Sequence, residues 1–247
     1  MPQLRPIPDR LIVLTFDDGP KSQASFAAPL LQKLGFNATF YITEGLNFLT
    51  DKERYMTWEE VQSLDRAGFE IGNHTRAHKN VNSQSAAELR ADIDHIDQRC
   101  AHYGIARPQT FCYPGYSNGP EAVEVLTQRG FTFARRGVEP EFSYNDEGGR
   151  GPAYDPQIHH PLLVPTTGAA GPNWDFDDLV WAVDQAADGK IAVLTFHGVP
   201  DLDHPWVHTD PEVFAGYMDY LSRQDCTVIA LRDLDQYVDP KRIPLAA

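Results

Sequence analysis

Several short stretches of the chain combine residue types that do chemistry. Thr15-Phe16-Asp17-Asp18-Gly19-Pro20 closes an apolar run that begins at Leu11. Two adjacent carboxylates at a strand end repel each other unless a cation or a proton separates their roles. The Gly-Pro that follows ends the strand in a tight turn. In His74-Thr75-Arg76-Ala77-His78, two histidines stand four apart, a spacing that puts both on one side of a helical turn, where they can share a metal. Leu194-Thr195-Phe196-His197-Gly198 carries a histidine at the end of another apolar run, and Phe111–Tyr116 is an aromatic Pro-Gly turn. Taken singly, each is weak. Asp177-Asp178 is also an acidic pair, but it falls in the first turn of an expected helix, where carboxylates suit the helix dipole. His204 and His208 repeat the histidine spacing, yet Pro205-Trp206 splits them and no strand precedes them, which reads as a loop feature.

Placement changes the weight of these signals. Short β-rich runs are expected at Leu11–Phe16, Ala38–Ile42, Phe69–Asn73, Thr110–Cys112, Phe131–Ala134, Leu162–Val164, Ile191–Phe196 and Thr227–Ala230. Several are continuously apolar, as strands covered on both faces should be. Helical patterns lie between them. Thr57-Trp58-Glu59-Glu60 has capping-box spacing for a helix to about Ala67. Leu89, Ile93, Ile96 and Cys100 recur as one apolar stripe near Ser85–Tyr103, with further helices at Glu121–Gln128, Phe176–Ala187 and Pro211–Arg223. This alternation predicts an α/β chain, a (β/α) barrel of seven or eight parallel strands forming a single domain over residues 1–247. Asp17, Asp18, His74, His78, Gly115 and His197 would then all stand just past the C-terminal ends of strands, which converge on one face of such a barrel. The segment Gly137–Gly171, rich in Gly, Pro, Asp and Asn, has no clear period and is expected to be a functional loop.

The composition excludes other classes. Lys+Arg 21 against Asp+Glu 35 leaves a net charge of −14, the wrong sign for a nucleic-acid surface or an anionic membrane. Hydrophobic residues at 42% and charged residues at 23% fit an ordinary globular chain. No apolar run approaches the ~20 residues that span a bilayer. The three cysteines, Cys100, Cys112 and Cys226, form neither a disulfide framework nor a zinc cluster. Met1–Arg10 carries three prolines and no apolar core, so no secretory signal is predicted and a cytoplasmic location is expected.

These residues resemble the polysaccharide deacetylases, the NodB homology domain of carbohydrate esterase family 4. Thr15–Pro20 is similar to the family's first motif, His74–His78 to its second and Phe196-His197 to the core of its last, over about Leu11 to Leu234. The resemblance implies a distorted (β/α) barrel, with Asp17 as general base, Asp18, His74 and His78 as metal ligands, and His197 as general acid. One carboxylate and two histidines leave coordination positions open, as a catalytic metal requires. Zinc is the first choice for a hydrolase, and cobalt, manganese, nickel or ferrous iron suit the same ligands.

The third motif departs from the family. Cys112 stands where an arginine is expected and Gly115 where an aromatic residue is expected. Arg135, at the end of the following strand, is the expected replacement for that arginine. The fourth motif is only echoed by Asn173-Trp174-Asp175, and Thr195 stands where a leucine lines the family's acetyl pocket. Pro114 and Gly115 are expected to border the substrate, with the Gly115 N–H facing the oxyanion, while Tyr113, Trp174 and Trp206 offer flat surfaces for a sugar.

The expected activity is metal-dependent removal of N-linked or O-linked acetyl groups from a saccharide, by metal-activated water. The alternative is hydrolysis of a small non-sugar amide or imide, a chemistry that the same barrel can host. The expected partner is therefore a small saccharide or amide. These motifs carry no information on oligomeric state.

Overall fold

β1 (Leu11–Phe16) alternates two buried faces. Leu11 and Val13 point into a central barrel, while Ile12, Leu14 and Phe16 pack outward beneath the helices. Because side chains alternate with period two, Thr15 and then Asp17 continue the inward row. The computed structural model describes residues 3–144 and 148–244. After β1, a π-helical turn (Gln23–Ala27) runs into α1 (Ala28–Leu34), which the sequence patterns above do not anticipate. β2 (Thr39–Ile42), α2 (Trp58–Arg66), β3 (Glu70–Asn73), α3 (Ala86–His102), β4 (Thr110–Cys112), α4 (Pro120–Arg129) and β5 (Phe133–Arg135) continue the alternation.

The helix starts are set by local chemistry. The Thr57 hydroxyl accepts from Glu60 N at 3.2 Å, and the Glu60 carboxylate accepts from Thr57 N at 2.7 Å. Ser85 and Glu88 form the same reciprocal box at the head of α3, satisfying N–H groups that a helix start leaves unpaired. Leu89, Ile93, Ile96 and Cys100 are the buried stripe of α3, as their spacing predicts.

The later half departs from strict alternation. β6 (Gly149–Arg150) and β7 (Gly168–Ala169) pair antiparallel, followed by α5 (Phe176–Asp184), β8 (Ala192–Phe196), α6 (Pro211–Arg223) and β9 (Thr227–Ile229). The expected strand Leu162–Val164 is instead a 3₁₀ turn, Pro161–Leu163, with Val164 making a single parallel bridge to Arg135. Asp175 and Asp178 cap α5 reciprocally, so the acidic pair Asp177-Asp178 belongs to a helix start.

The sheet runs β5-β4-β3-β2-β1-β8-β7-β6, with β9 pairing the N-terminal half of β1. The ring closes through the segment 164–169. Val164 N donates to Ala134 O at 2.8 Å, and Thr167 N donates to Val193 O at 2.8 Å. The architecture is thus the expected distorted (β/α) barrel, with parallel staves around the axis and one antiparallel excursion, β6, outside it. Tyr41, Val13, Val193, Cys112 and Phe133 fill the interior. Gly72 faces Tyr41 so closely that a Cβ there would lie 2.4 Å from the ring. Among the described residues no helix is long and apolar enough to cross a membrane.

Candidate active site

The inward rows of β1, β3, β4, β5 and β8 end in chemistry at one mouth of the barrel. Asp17 and Asp18 follow β1, His74 follows β3, and His197 follows β8. Asp17 N donates to Phe196 O at 3.0 Å, and the buried Gln23 side chain bonds the carbonyls of both Asp17 and His197. The π-helical turn therefore pins two strand ends together. Gln23 is invisible as a site residue in the sequence because nothing local marks a glutamine as a strap to a strand end 174 positions away.

Asp18 Oδ1 stands 3.3 Å from His74 Nε2 and 3.2 Å from His78 Nε2. Residues 74–78 do not form the helical turn expected from their spacing. Thr75 and His78 have φ of 62° and 52°, and Asp18 has φ of 72°, left-handed conformations that non-glycine residues adopt at a cost and that gather at functional sites. The bend is held by His78 N donating to Thr75 Oγ1 at 3.1 Å and Thr75 N donating to Asn73 Oδ1 at 2.9 Å. The two rings still converge, with centroids 4.8 Å apart.

His74 Nδ1 lies 2.8 Å from Cys112 O. A carbonyl only accepts, so Nδ1 carries the proton and Nε2 presents its lone pair toward Asp18 and His78, the arrangement by which second-shell partners orient a ligating imidazole. Asp18 Oδ1 is buried without a hydrogen-bond partner. One carboxylate oxygen and two imidazole nitrogens within 4.8 Å of one another form a candidate metal-binding group, and this O,N,N donor set fits a divalent transition metal. Burial alone would raise the Asp18 carboxyl, but the adjacent His74 and His78 hold it well below the usual carboxylate range.

Asp17 is oriented differently. Arg135, from the end of β5, is fully buried, and one of its guanidinium nitrogens donates to Asp17 Oδ2 and touches Cys112 Sγ. The other terminal nitrogen donates to Thr166 Oγ1 at 3.1 Å. The guanidinium lies 5.7 Å from the Tyr41 ring centre and 5.3 Å from that of Tyr116. Burial raises the Asp17 carboxyl, but Arg135, then His197 and His74, outweigh it and keep the group below its ordinary value. Cys112 Sγ is 3.6 Å from Asp17 Oδ2, and burial pushes this thiol well above its usual value. Cys112 and Arg135 are thus neighbours on adjacent strands, paired in register.

His197 Nε2 lies 3.8 Å from Asp17 Oδ2 and 3.9 Å from Asp18 Oδ2, and burial lowers its pKa. Thr195, two residues before it, sits below the site rather than in its wall. Its hydroxyl is 3.2 Å from those of both Thr15 and Thr166, a polar layer between the apolar interior and the mouth of the barrel.

Asp17, Asp18, His74, His78, Gly115 and His197 line a single cavity of about 360 Å³ with Leu46, Tyr116, Tyr144, His204, Trp206 and Val207. Gly115 reaches it with φ of 56°. Tyr113 and Trp174 do not. Tyr113 is fully buried and donates its hydroxyl to Leu162 O at 2.8 Å. Trp174 is buried edge-on against Phe196 and Tyr217 and borders a separate depression with His208 and Thr209. Neither offers a face to a sugar in this cavity, contrary to the expectation, because each packs into the outer core. Pro114 is buried and does not line the cavity. Trp206 does line the cavity, and so do Tyr116, Tyr144 and His204, which sequence reasoning did not assign because they come from loops without a periodic signal. His208 Nδ1 lies 3.1 Å from Asp201 O, apart from His204, so the second histidine pair is a loop feature.

The barrel is similar to solved structures. A family 4 carbohydrate esterase from Streptomyces lividans superposes with a TM-score of 0.57 at 17% identity, covering 92% of this chain and 93% of that one. A CE4 family pseudoenzyme from Bacillus anthracis gives a TM-score of 0.62 at 16% identity, covering 94% and 68%. A shared fold does not fix activity, and at such identities these likenesses establish the fold alone. Among curated sequences, a bifunctional xylanase/deacetylase of Pseudobutyrivibrio xylanivorans is 34% identical over 85 residues, 34% of this chain and 13% of that protein. A chitin deacetylase of Pestalotiopsis sp is 26% identical over 136 residues, 54% and 44% respectively. The chain therefore spans less than half the length of either relative. The family model described as polysaccharide deacetylase matches residues 5–134, a stretch that includes both aspartates and both converging histidines and stops just before Arg135. As that match exceeds half of the 247 residues, the chain belongs to the polysaccharide deacetylase family.

Proposed function

We propose that this protein hydrolyses the N-acetyl group of a saccharide, with Asp17 as general base and His197 as general acid. The observation that carries the reading is the division of labour between two adjacent carboxylates. Asp18 stands between two histidines, whereas Asp17 is bonded to an arginine and lies within 3.8 Å of a third histidine. Family membership supports the substrate class.

Asp18, His74 and His78 would hold a divalent cation, zinc by preference, which when bound lowers the pKa of water toward 7 and polarises a carbonyl. Asp17 accepts the proton of the attacking water, and Arg135 holds its carboxylate ionised and fixed in direction. As water oxygen bonds the acetyl carbon, negative charge grows on the carbonyl oxygen. The Gly115 N–H is assigned to that oxyanion; one such donor is typically worth about 10²–10³ in rate. His197 protonates the departing nitrogen as the C–N bond breaks, leaving acetate and a free amine. Its lowered pKa makes its imidazolium the stronger acid.

Acetate release from N-acetylglucosamine oligomers and N-acetylated monosaccharides by metal-loaded protein tests this reading, with Asp17→Asn as the blank. Release that depends on Asp17 is expected. Metal binding without release overturns the saccharide assignment in favour of a small amide or imide, the chemistry that the substituted third motif leaves open.

A further inference from the structure

The loop from β8 to α6 supplies the cavity with Val207 and with two ring side chains that take no part in the hydrolytic step, His204 and Trp206. Their positions are built. Asp201 is only 4% exposed, although nothing in the hydrolysis uses it. Its carboxylate accepts from Gly198 N at 3.3 Å, Asp203 N at 3.2 Å and His204 N at 2.9 Å. It also faces His204 Nδ1, at 3.3 and 3.4 Å. This fold of the loop around a buried carboxylate fixes the His204 ring by one nitrogen and leaves Nε2 for the cavity. Trp206 stands against that ring, with centroids 5.4 Å apart and planes at 68°, yet remains 47% exposed.

An indole face left open beside a fixed imidazole nitrogen suits one class of ligand well. The axial C–H groups of a hexose ring are apolar and lie flat on an indole, which carries a negative face. A ring hydroxyl both donates and accepts, so it pairs with Nε2 whether that nitrogen carries a proton or a lone pair. The bond to the Asp201 carboxylate outweighs the opposing effect of burial and favours the protonated form, whose hydrogen bonds are the stronger.

We propose that His204 and Trp206 form the saccharide-recognition wall of this cavity, Trp206 stacking on a hexose ring and His204 Nε2 bonding one of its hydroxyls, with Asp201 as the positioning residue. This rests on the saccharide reading above and goes further by assigning the residues that select the sugar.

Metal-loaded Asp17→Asn protein, which keeps the wall intact, is titrated with triacetylchitotriose by calorimetry. In that background, His204→Ala and Trp206→Ala are each expected to weaken binding tenfold or more. His204→Gln and Trp206→Phe, which retain a polar terminus and a ring, are expected to recover part of the loss, with metal content unchanged in every variant. In the otherwise native enzyme the alanine variants raise KM tenfold with kcat within about twofold. Unchanged binding in both alanine variants, or no binding of triacetylchitotriose at all, overturns the wall, as does a fall in kcat at constant KM. Acetate release with unaltered kinetics in the variants leaves the hydrolase and removes the wall. Binding through the wall without acetate release does the reverse.

Discussion

The guanidinium of Arg135 lies against the carboxylate of Asp17, both fully or nearly fully buried, at the ends of two strands 118 positions apart in the chain. The pair places a permanent positive charge behind the proposed base from β5, while the β4 position where the family's arginine is expected carries Cys112. The two positions are registered neighbours, so either can reach the same carboxylate.

Arg135→Gln should therefore do two things. Removing one member of a buried ion pair typically costs about 3–5 kcal/mol, read as a large fall in thermal midpoint. Asp17 must be ionised to act as base, and Arg135 depresses its pKa. Asp17 is thus ionised throughout the range in which His74 and His78 can hold a metal, and in Arg135→Gln, with metal saturating, the acid limb of the kcat/KM profile moves to higher pH. An unmoved limb would refute the pairing. The exchange Cys112→Arg with Arg135→Cys is expected to restore much of the activity.

The two aspartates should separate in metal analysis. Asp17→Asn retains bound metal and loses about 10²–10⁴ of turnover, the usual contribution of a general base. Asp18→Ala and His78→Ala lose the metal itself, measured as metal per protein after dialysis. Equal metal loss in all three would show that the carboxylates share one role.

Glu70, at the opposite end of the barrel, is buried and accepts from the Thr39 and Thr110 hydroxyls and from Arg232 N. Burial raises its pKa despite those donors. The folded state then binds more protons than the unfolded chain. Stability attributable to Glu70 is present below the ordinary glutamate range, about 4.3, and is lost as pH rises through the raised value. Relative to the native protein, Glu70→Gln should gain thermal stability as pH rises above about 4.3 and level off once the raised value is passed. A difference in midpoint that does not vary with pH would contradict this.

Gly72→Ala forces a methyl group to within 2.4 Å of the Tyr41 ring. Overpacking of this kind costs about 1–3 kcal/mol, which for a chain of this size lowers the midpoint by roughly 2–12 °C. Because Tyr41 underlies Arg135, activity should fall along with stability; an unchanged midpoint would mean that the ring moves freely.

What the sequence determined by itself is local. The capping boxes at Thr57 and Ser85, the buried stripe of α3 and the alternation along β1 are read from residues within a few positions of one another, since caps and periodicities act over one or two turns. The same is true of Asp17-Asp18 and His74–His78, whose chemistry is legible in composition and spacing and whose common face follows from parallel strands. The tertiary structure decided what depends on distant segments meeting. It straps β1 to β8 through Gln23, and turns Tyr113 and Trp174 into the core while leaving Trp206 open. It also closes the ring with the segment 164–169 in place of a regular strand. None of these carries a local signal, because the direction of a side chain on an irregular loop is set by what packs against it and not by its neighbours in the chain.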